Sequence, residues 1–369
     1  MNESKQITTF QCIAIIINST IGLSVLVLPR IASEKVGSGA FLVTCIGMIF
    51  PIISLYIIAL LSKRFPSESI IQYGQKLISK PLGKIFGFIL IIYFFTITAL
   101  VLREFGEVMN TTLLQETPMS ATLIVMLIAV AVATRNNLTT IAYMQSFYLP
   151  FIVIPILLMV IFAIQDIDPR HMKPFLGNDT TIIDFLSSGL AVAGLPFIHI
   201  GMYIILIFAS HMIDTKRILK GSMWGIGISA FIILLSTGVT VAVFGSEEID
   251  NSLWPMLVLT RMTELPFAIL ERLDILFLVV WIISAFTTIL SGYLLGIEFS
   301  SQLFKLRSHR VLSYLLLPFV FVLSLYPHNI LHLYNIMEVV GRWGTLLAMG
   351  YPIILLLVSL IRKKGGKHS

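Results

Sequence analysis

Near the middle of the first apolar run, IAIIINSTIGLSVLVLPR, polar and small residues separate two greasy halves: Asn18, Ser19, Thr20, Gly22 and Ser24. Glycine costs about 1 kcal/mol in a helix interior, and short hydroxyl side chains compete for the backbone's own hydrogen bonds. A helix would unwind there if a ligand filled the gap. The same device recurs in SSGLAVAGLPFIHIGMYIILIFASH, where Gly194, Leu195 and Pro196 lie mid-run. Pro196 removes one amide donor and crowds the preceding turn. Amides freed at the amino ends of half-helices suit a carboxylate, and freed carbonyls suit an ammonium or a cation. The chemistry expected is recognition of a small molecule by backbone, without bond making. There is no GxSxG, no glycine-rich phosphate loop, no HExxH and no pair of carboxylates for acid and base work, so neither an enzyme nor a cofactor nor a metal centre is expected. Cys12 and Cys45 lie inside apolar runs, outside any redox or metal-ligand spacing, and read as free thiols.

The elements that must position these residues are dictated by composition. Of 369 residues 57% are hydrophobic and 12% charged, about half the charge a soluble chain of this length needs to cover its surface. Disorder is excluded by the same numbers. Backbone polar groups in hydrocarbon must be satisfied within their own segment, so the long apolar runs are helices. Ten are expected, over about 8–31, 38–62, 84–109, 119–134, 139–164, 183–210, 218–245, 272–301, 311–327 and 334–361. Only MNESKQ precedes the first, with one lysine and no small-residue cleavage pattern after it, so that run is expected to stay as a span. The net charge of +6 sits in the gaps between runs and reads as topology, not as a nucleic-acid surface. Seventeen lysines and arginines fall on the side of the N-terminus and seven on the other, which predicts both termini in the cytoplasm. The outer connections carry acid instead: Asp166, Asp168, Asp179 and Asp184, then Glu247, Glu248, Asp250 and Glu264. The longest, about 246–271 with Trp254, Pro255, Pro266 and Phe267, suits a short interfacial helix, as does IIQYGQKLI between Phe65 and Pro81 on the inner face. The two interrupted runs lie five positions apart. That predicts one transmembrane domain over 1–369 built as an inverted repeat, about 8–164 and 183–361.

The ten runs, the Ser19 to Gly22 interruption followed by LPR, the GLPF interruption, the WP of the outer connection and ERLDILFLVVW at the eighth run resemble the spore germination permease family. These are the B subunits of nutrient germinant receptors, within the amino acid-polyamine-organocation superfamily. The resemblance implies a LeuT/APC-like fold of ten transmembrane helices, with helices 1 and 6 broken and a ligand site between spans 1, 3, 6 and 8. Carried onto this chain, that site holds Thr20, Ile21 and Gly22 from span 1 and Ala193, Gly194 and Leu195 from span 6. Span 3 offers Tyr93, Thr96 and Thr98, with Leu100 on a neighbouring turn, and span 8 offers Ser284, Thr287, Thr288 and Ser291. For each hydroxyl taken alone, bonding back to its own helix is the expected role. The resemblance also implies partners, an A subunit and a C-type lipoprotein, and a location in the spore inner membrane. The ligand implied is a small nutrient, an amino acid first. An amino acid permease working by alternating access is the alternative, and a scaffold or ion-conducting subunit is a third.

Span 5 lacks the lysine of many proton-coupled relatives, while a sodium site through Thr287, Thr288 or Ser291 stays open. Arg103, Glu104, Glu107 and Glu298 lie near span ends and read as structural or gate residues. Glu338 and Arg342, four apart, can pair as a staple. Glu271, Arg272 and Asp274 suit a helix start or a partner contact. His199, three residues after Pro196, reads as a satisfied interior histidine. The spacings Gly221 to Gly225 and Gly292 to Gly296 read as close helix contact.

Overall fold

Every one of the ten apolar runs folds as helix in the structure, a computed structural model that describes residues 6–66, 68–177, 180–262, 273–306 and 308–362, the side chains of 273–276 excepted. Among the described residues there is one isolated β-bridge, between Ile7 and Met212, and no sheet. The helices are α1 (Thr9–Ser33), α2 (Ala40–Arg64), α3 (Ile70–Leu77), α4 (Lys80–Thr112), α5 (Met119–Thr134), α6 (Leu138–Ala163), α7 (Ile182–Ala193), α8 (Pro196–Tyr203) and α9 (Ile205–Phe208). They continue with α10 (Ile218–Asp250), α11 (Pro255–Met262), α12 (Leu273–Leu303), α13 (Leu312–Leu315), α14 (Leu317–Leu325) and α15 (Ile330–Ile361). Among the described residues seven are long and apolar enough to cross a bilayer, and α7 with the segment to His211 makes an eighth candidate, bent by 59°. The runs at Met119–Thr134 and Leu312–Leu325 are shorter. The side of the bundle away from the N-terminus is called outer below.

Packing is centred on α1. Of its apolar window 94% is buried, against 28% for α6, so α1 is the inner post of the bundle and α6 lies against lipid. α10 closes on it through Gly225, where a Cβ would lie 2.9 Å from Ile16. α12 closes on α4 in the same way, Gly292 against Thr98 and Gly296 against Phe95. Both glycine spacings therefore serve helix contact.

The expected unwinding of span 1 does not occur. α1 runs unbroken through Ser19 to Gly22. The hydroxyls there reinforce the helix they were expected to open: Ser19 Oγ lies 2.7 Å from the Ile15 carbonyl, Thr20 Oγ1 2.7 Å from Ile16 and Ser24 Oγ 2.7 Å from Ile21. Span 6 does break. Gly194 caps α7 with its N–H on the Leu190 carbonyl at 2.9 Å. Leu195 is extended, as a residue before proline prefers, and Pro196 starts α8 where no amide donor is needed. Tight packing stabilises the break: a Cβ on Gly341 of α15 would fall 2.2 Å from the Gly194 carbonyl oxygen.

Two short helices lie in the connections. α3 starts on a capping box between Ser69 and Gln72 and buries Ile70, Ile71, Tyr73, Gly74 and Leu77, so it is packed on the bundle, not merely laid on a surface. α11 follows Trp254 in the long outer connection. Asp179, Glu264, Pro266, Phe267, Glu271 and Arg272 lie outside the described residues, as do the Asp274 side chain and the basic Lys5, Arg307, Lys363, Lys364 and Lys367.

Candidate ligand-binding site

Where α1 passes α12 and α6, the membrane interior holds a knot of polar side chains. Asn18 Nδ2 donates to the backbone oxygen of Gln145 at 2.6 Å and to its Oε1 at 2.9 Å. Gln145 Nε2 donates in turn to Ser291 Oγ at 3.1 Å, and the Ser19 and Ser291 hydroxyls lie 2.7 Å apart. Thr288 Oγ1 donates toward the Asn18 carbonyl at 3.2 Å, with Thr287 Oγ1 3.4 Å from the same oxygen. All six residues are buried. Asn18 Oδ1 and Ser284 Oγ are buried there without a partner among the described residues. An oxygen-rich set of this kind can take an ammonium or a hard cation. Gly22 lets the two helices meet: a Cβ on it would lie 1.8 Å from Thr288 Oγ1 and 3.1 Å from the Ser284 carbonyl.

A second cluster sits at the span 6 break. His199, fully buried, bonds Tyr93 of α4 through Nδ1 and lies 3.4 Å from Thr345 Oγ1 of α15 through Nε2. One imidazole thus ties spans 3, 6 and 10 together at the point where the backbone is interrupted. On the outer side a cavity of about 190 Å³ descends between α1, α7 and α15 and reaches Gly194 and Leu195. Arg30, Glu34, Lys35, Glu338 and Arg342 line it. Glu338 and Arg342 form the expected pair, and Arg103 pairs with Glu107 at 2.7 Å.

The predicted residues fall into three groups. Gly22, Ser284, Thr287 and Thr288 meet at the α1–α12 contact. Thr20 turns from that contact toward α8, its Oγ1 lying 1.9 Å from where a Gly201 Cβ would be, and Ile21 is buried core. Ala193, Gly194 and Tyr93 belong to the break, and Leu195 lines the cavity. Two further positions join neither cluster. Leu100 packs with Leu333 and Met337 of α15, and Thr96 is half-exposed with its hydroxyl on the Ile92 carbonyl at 2.9 Å. Thr98 is the span 3 hydroxyl that faces α12. Sequence reasoning missed Gln145 and Thr345, and it placed His199 without a partner. A polar amide inside the first third of the uncharged, apolar span 5 was the signal for the first. Thr345 gave none, since one threonine four residues from a glycine is common in packed helices.

Residues 6–332 match the family model described as spore germination protein. Spore germination protein YndE of Bacillus subtilis (strain 168) is 27% identical over 367 residues, covering 99% of each chain. Spore germination protein A2 of the same organism is 26% identical over 291 residues, 78% of each. Spore germination protein GerLB of Bacillus cereus is 21% identical over 359 residues, 95% of this chain and 93% of that one. Among solved structures the fold is similar to that of MhsT in complex with L-phenylalanine, with a TM-score of 0.66 at 15% identity, covering 95% and 97% of the two chains. It is also similar to a mutant of the Eremococcus coleocola manganese transporter, with a TM-score of 0.63 at 15% identity over 96% and 85%. The architecture is thus an all-α, polytopic membrane fold of the LeuT type, and the chain belongs to the spore germination protein family, a family of permease type.

Proposed function

We propose that this chain is the germinant-sensing B-type subunit of a spore nutrient receptor, with ten spans in two inverted repeats and a ligand site at mid-membrane between spans 1, 3, 6 and 8. The observation that carries the reading is the span 6 break: a capped half-helix and a proline-started half-helix meet at the foot of an outer cavity, with His199 bridging to spans 3 and 10. A small nutrient, an amino acid first, enters from the outer side. Its carboxylate suits the amide end of α8, and its ammonium suits the carbonyls of the break and the hydroxyls beside α1. Because α1 is continuous in this arrangement, ligand binding would have to open the Asn18 to Gly22 turn, drawing on interactions that the Thr287 and Thr288 hydroxyls already make with its carbonyls. A ligand shifts an equilibrium only by its differential affinity for two states, so the signal to A and C partner subunits in the spore inner membrane is the change in that turn.

The second reading is an amino acid permease working by alternating access, favoured by the likeness to a solved structure holding L-phenylalanine. Both are tested in one experiment: the purified chain in liposomes, scored for binding and for uptake of a panel of radiolabelled amino acids beside Gly22→Val. The sensing reading expects saturable binding without accumulation, lost in the variant. Accumulation inside the vesicles would make the chain a permease. Binding unchanged by Gly22→Val would move the site away from spans 1 and 8.

A further inference from the structure

At the end of the bundle that holds the N-terminus, four elements enclose a second, smaller chamber of about 160 Å³. The start of α3 gives it Ser69 and Gln72, the start of α6 gives Leu138, the tail of span 6 gives Ser210 and His211, and the last turns of α12 give Glu298 and Gln302. Glu298 and Gln302 are four apart, so they share one helix face. One Glu298 carboxylate oxygen lies 2.6 Å from His309 Nδ1, and the other ring nitrogen of His309 is 3.1 Å from the Thr134 carbonyl. Gln302 Oε1 is buried and has no partner among the described residues. A buried acceptor without a donor is rare in folded proteins and points to a guest. The walls thus offer a carboxylate, an unpaired amide oxygen and hydroxyl oxygens.

We infer that this chamber binds one monovalent, oxygen-preferring cation, held by the Glu298 carboxylate and Gln302 Oε1. With the His309 ring neutral, the Glu298 carboxylate balances a single positive charge, whereas calcium and transition-metal sites gather several anionic or imidazole ligands. Among the described residues no group of three or more such side chains exists. Each water occupies about 30 Å³, so the chamber has room for an ion and part of its hydration shell. Glu298 lies seven residues beyond Ser291, which sets the chamber about 10 Å along α12 from the polar knot of α1, α6 and α12. The ion would clamp α3 and the tail of span 6 to α12, stabilising closure at this end. The inference stands apart from the sensing reading, since it needs neither the nutrient nor the break.

The test is equilibrium binding of radioactive sodium and of rubidium, as a potassium surrogate, to the full chain in lipid nanodiscs. Saturable binding of one ion per chain is expected, together with a rise in the thermal unfolding midpoint as the salt is raised. Glu298→Gln and Gln302→Leu should each weaken binding by about tenfold or more, as removal of one charge-assisted contact does. Glu298→Asp should retain part of it. Thr111→Val, an exposed position at the outer end of α4, should leave it in place. Absence of saturable binding by the wild-type protein would overturn the inference. So would binding lost in Thr288→Val but kept in a monodisperse Glu298→Gln protein. In all of these outcomes amino acid binding, scored separately, reports on the sensing reading alone.

Discussion

Gly22 shows how one missing side chain can fix a helix pair. Its Cα hydrogen faces the Thr288 hydroxyl, and any Cβ would fall 1.8 Å from that oxygen. Overpacking of a tight contact typically costs about 1–3 kcal/mol. Gly22→Val and Gly22→Ala are therefore each expected to lower the thermal midpoint in nanodiscs, and adding Thr288→Ala to Gly22→Ala should recover part of the loss that Gly22→Ala causes alone. The amides of the knot make a different prediction. Asn18→Leu or Gln145→Leu alone strands a buried polar partner, at a cost of about 1–3 kcal/mol each, while the double variant strands neither. Its destabilisation is expected to be smaller than the sum of the single effects. Additive unfolding energies would show that the two amides do not act together. Both residues were visible as polar letters in apolar runs, but only their contact assigns them to each other.

The broken span rests on α15 as much as on its own sequence. GLP predicts the interruption, because glycine ends a helix and proline starts the next without a donor to lose. What the letters leave open is whether span 1, with its own glycine and hydroxyls, breaks as well. It does not, because three hydroxyls bond back to carbonyls one turn earlier. α15 supplies an internal comparison at two of its three glycines. Gly341 touches the Gly194 backbone, while a Cβ on Gly350 would meet no atom of the described residues within 4 Å. Gly350→Ala is expected to be neutral or to stabilise by up to about 1 kcal/mol through helix propensity. Gly341→Ala should destabilise and should also weaken any ligand that binds at the break. Equal behaviour of the two variants in thermal unfolding would remove α15 from the support of span 6.

For the whole chain, the distribution of lysine and arginine carries the orientation. Reporter fusions at both termini are expected to score as cytoplasmic, and an insertion after Trp254 as external; a terminus scoring outside would invert the proposed topology. The membrane class, the helical runs and their order were legible in composition and hydropathy, since a bilayer admits few other solutions for a chain 57% hydrophobic. The span 6 interruption was legible too, being a local matter of glycine and proline. Partnership was not. That His199 joins Tyr93 and Thr345, that Gln145 reaches Asn18, and that Leu100 packs on α15 depend on how the helices rotate about their axes. Hydrophobicity alone sets that rotation weakly inside lipid, where both faces of a span are apolar. Close glycine contacts and buried hydrogen bonds between residues more than a hundred positions apart set it, and those exist only once the chain has packed.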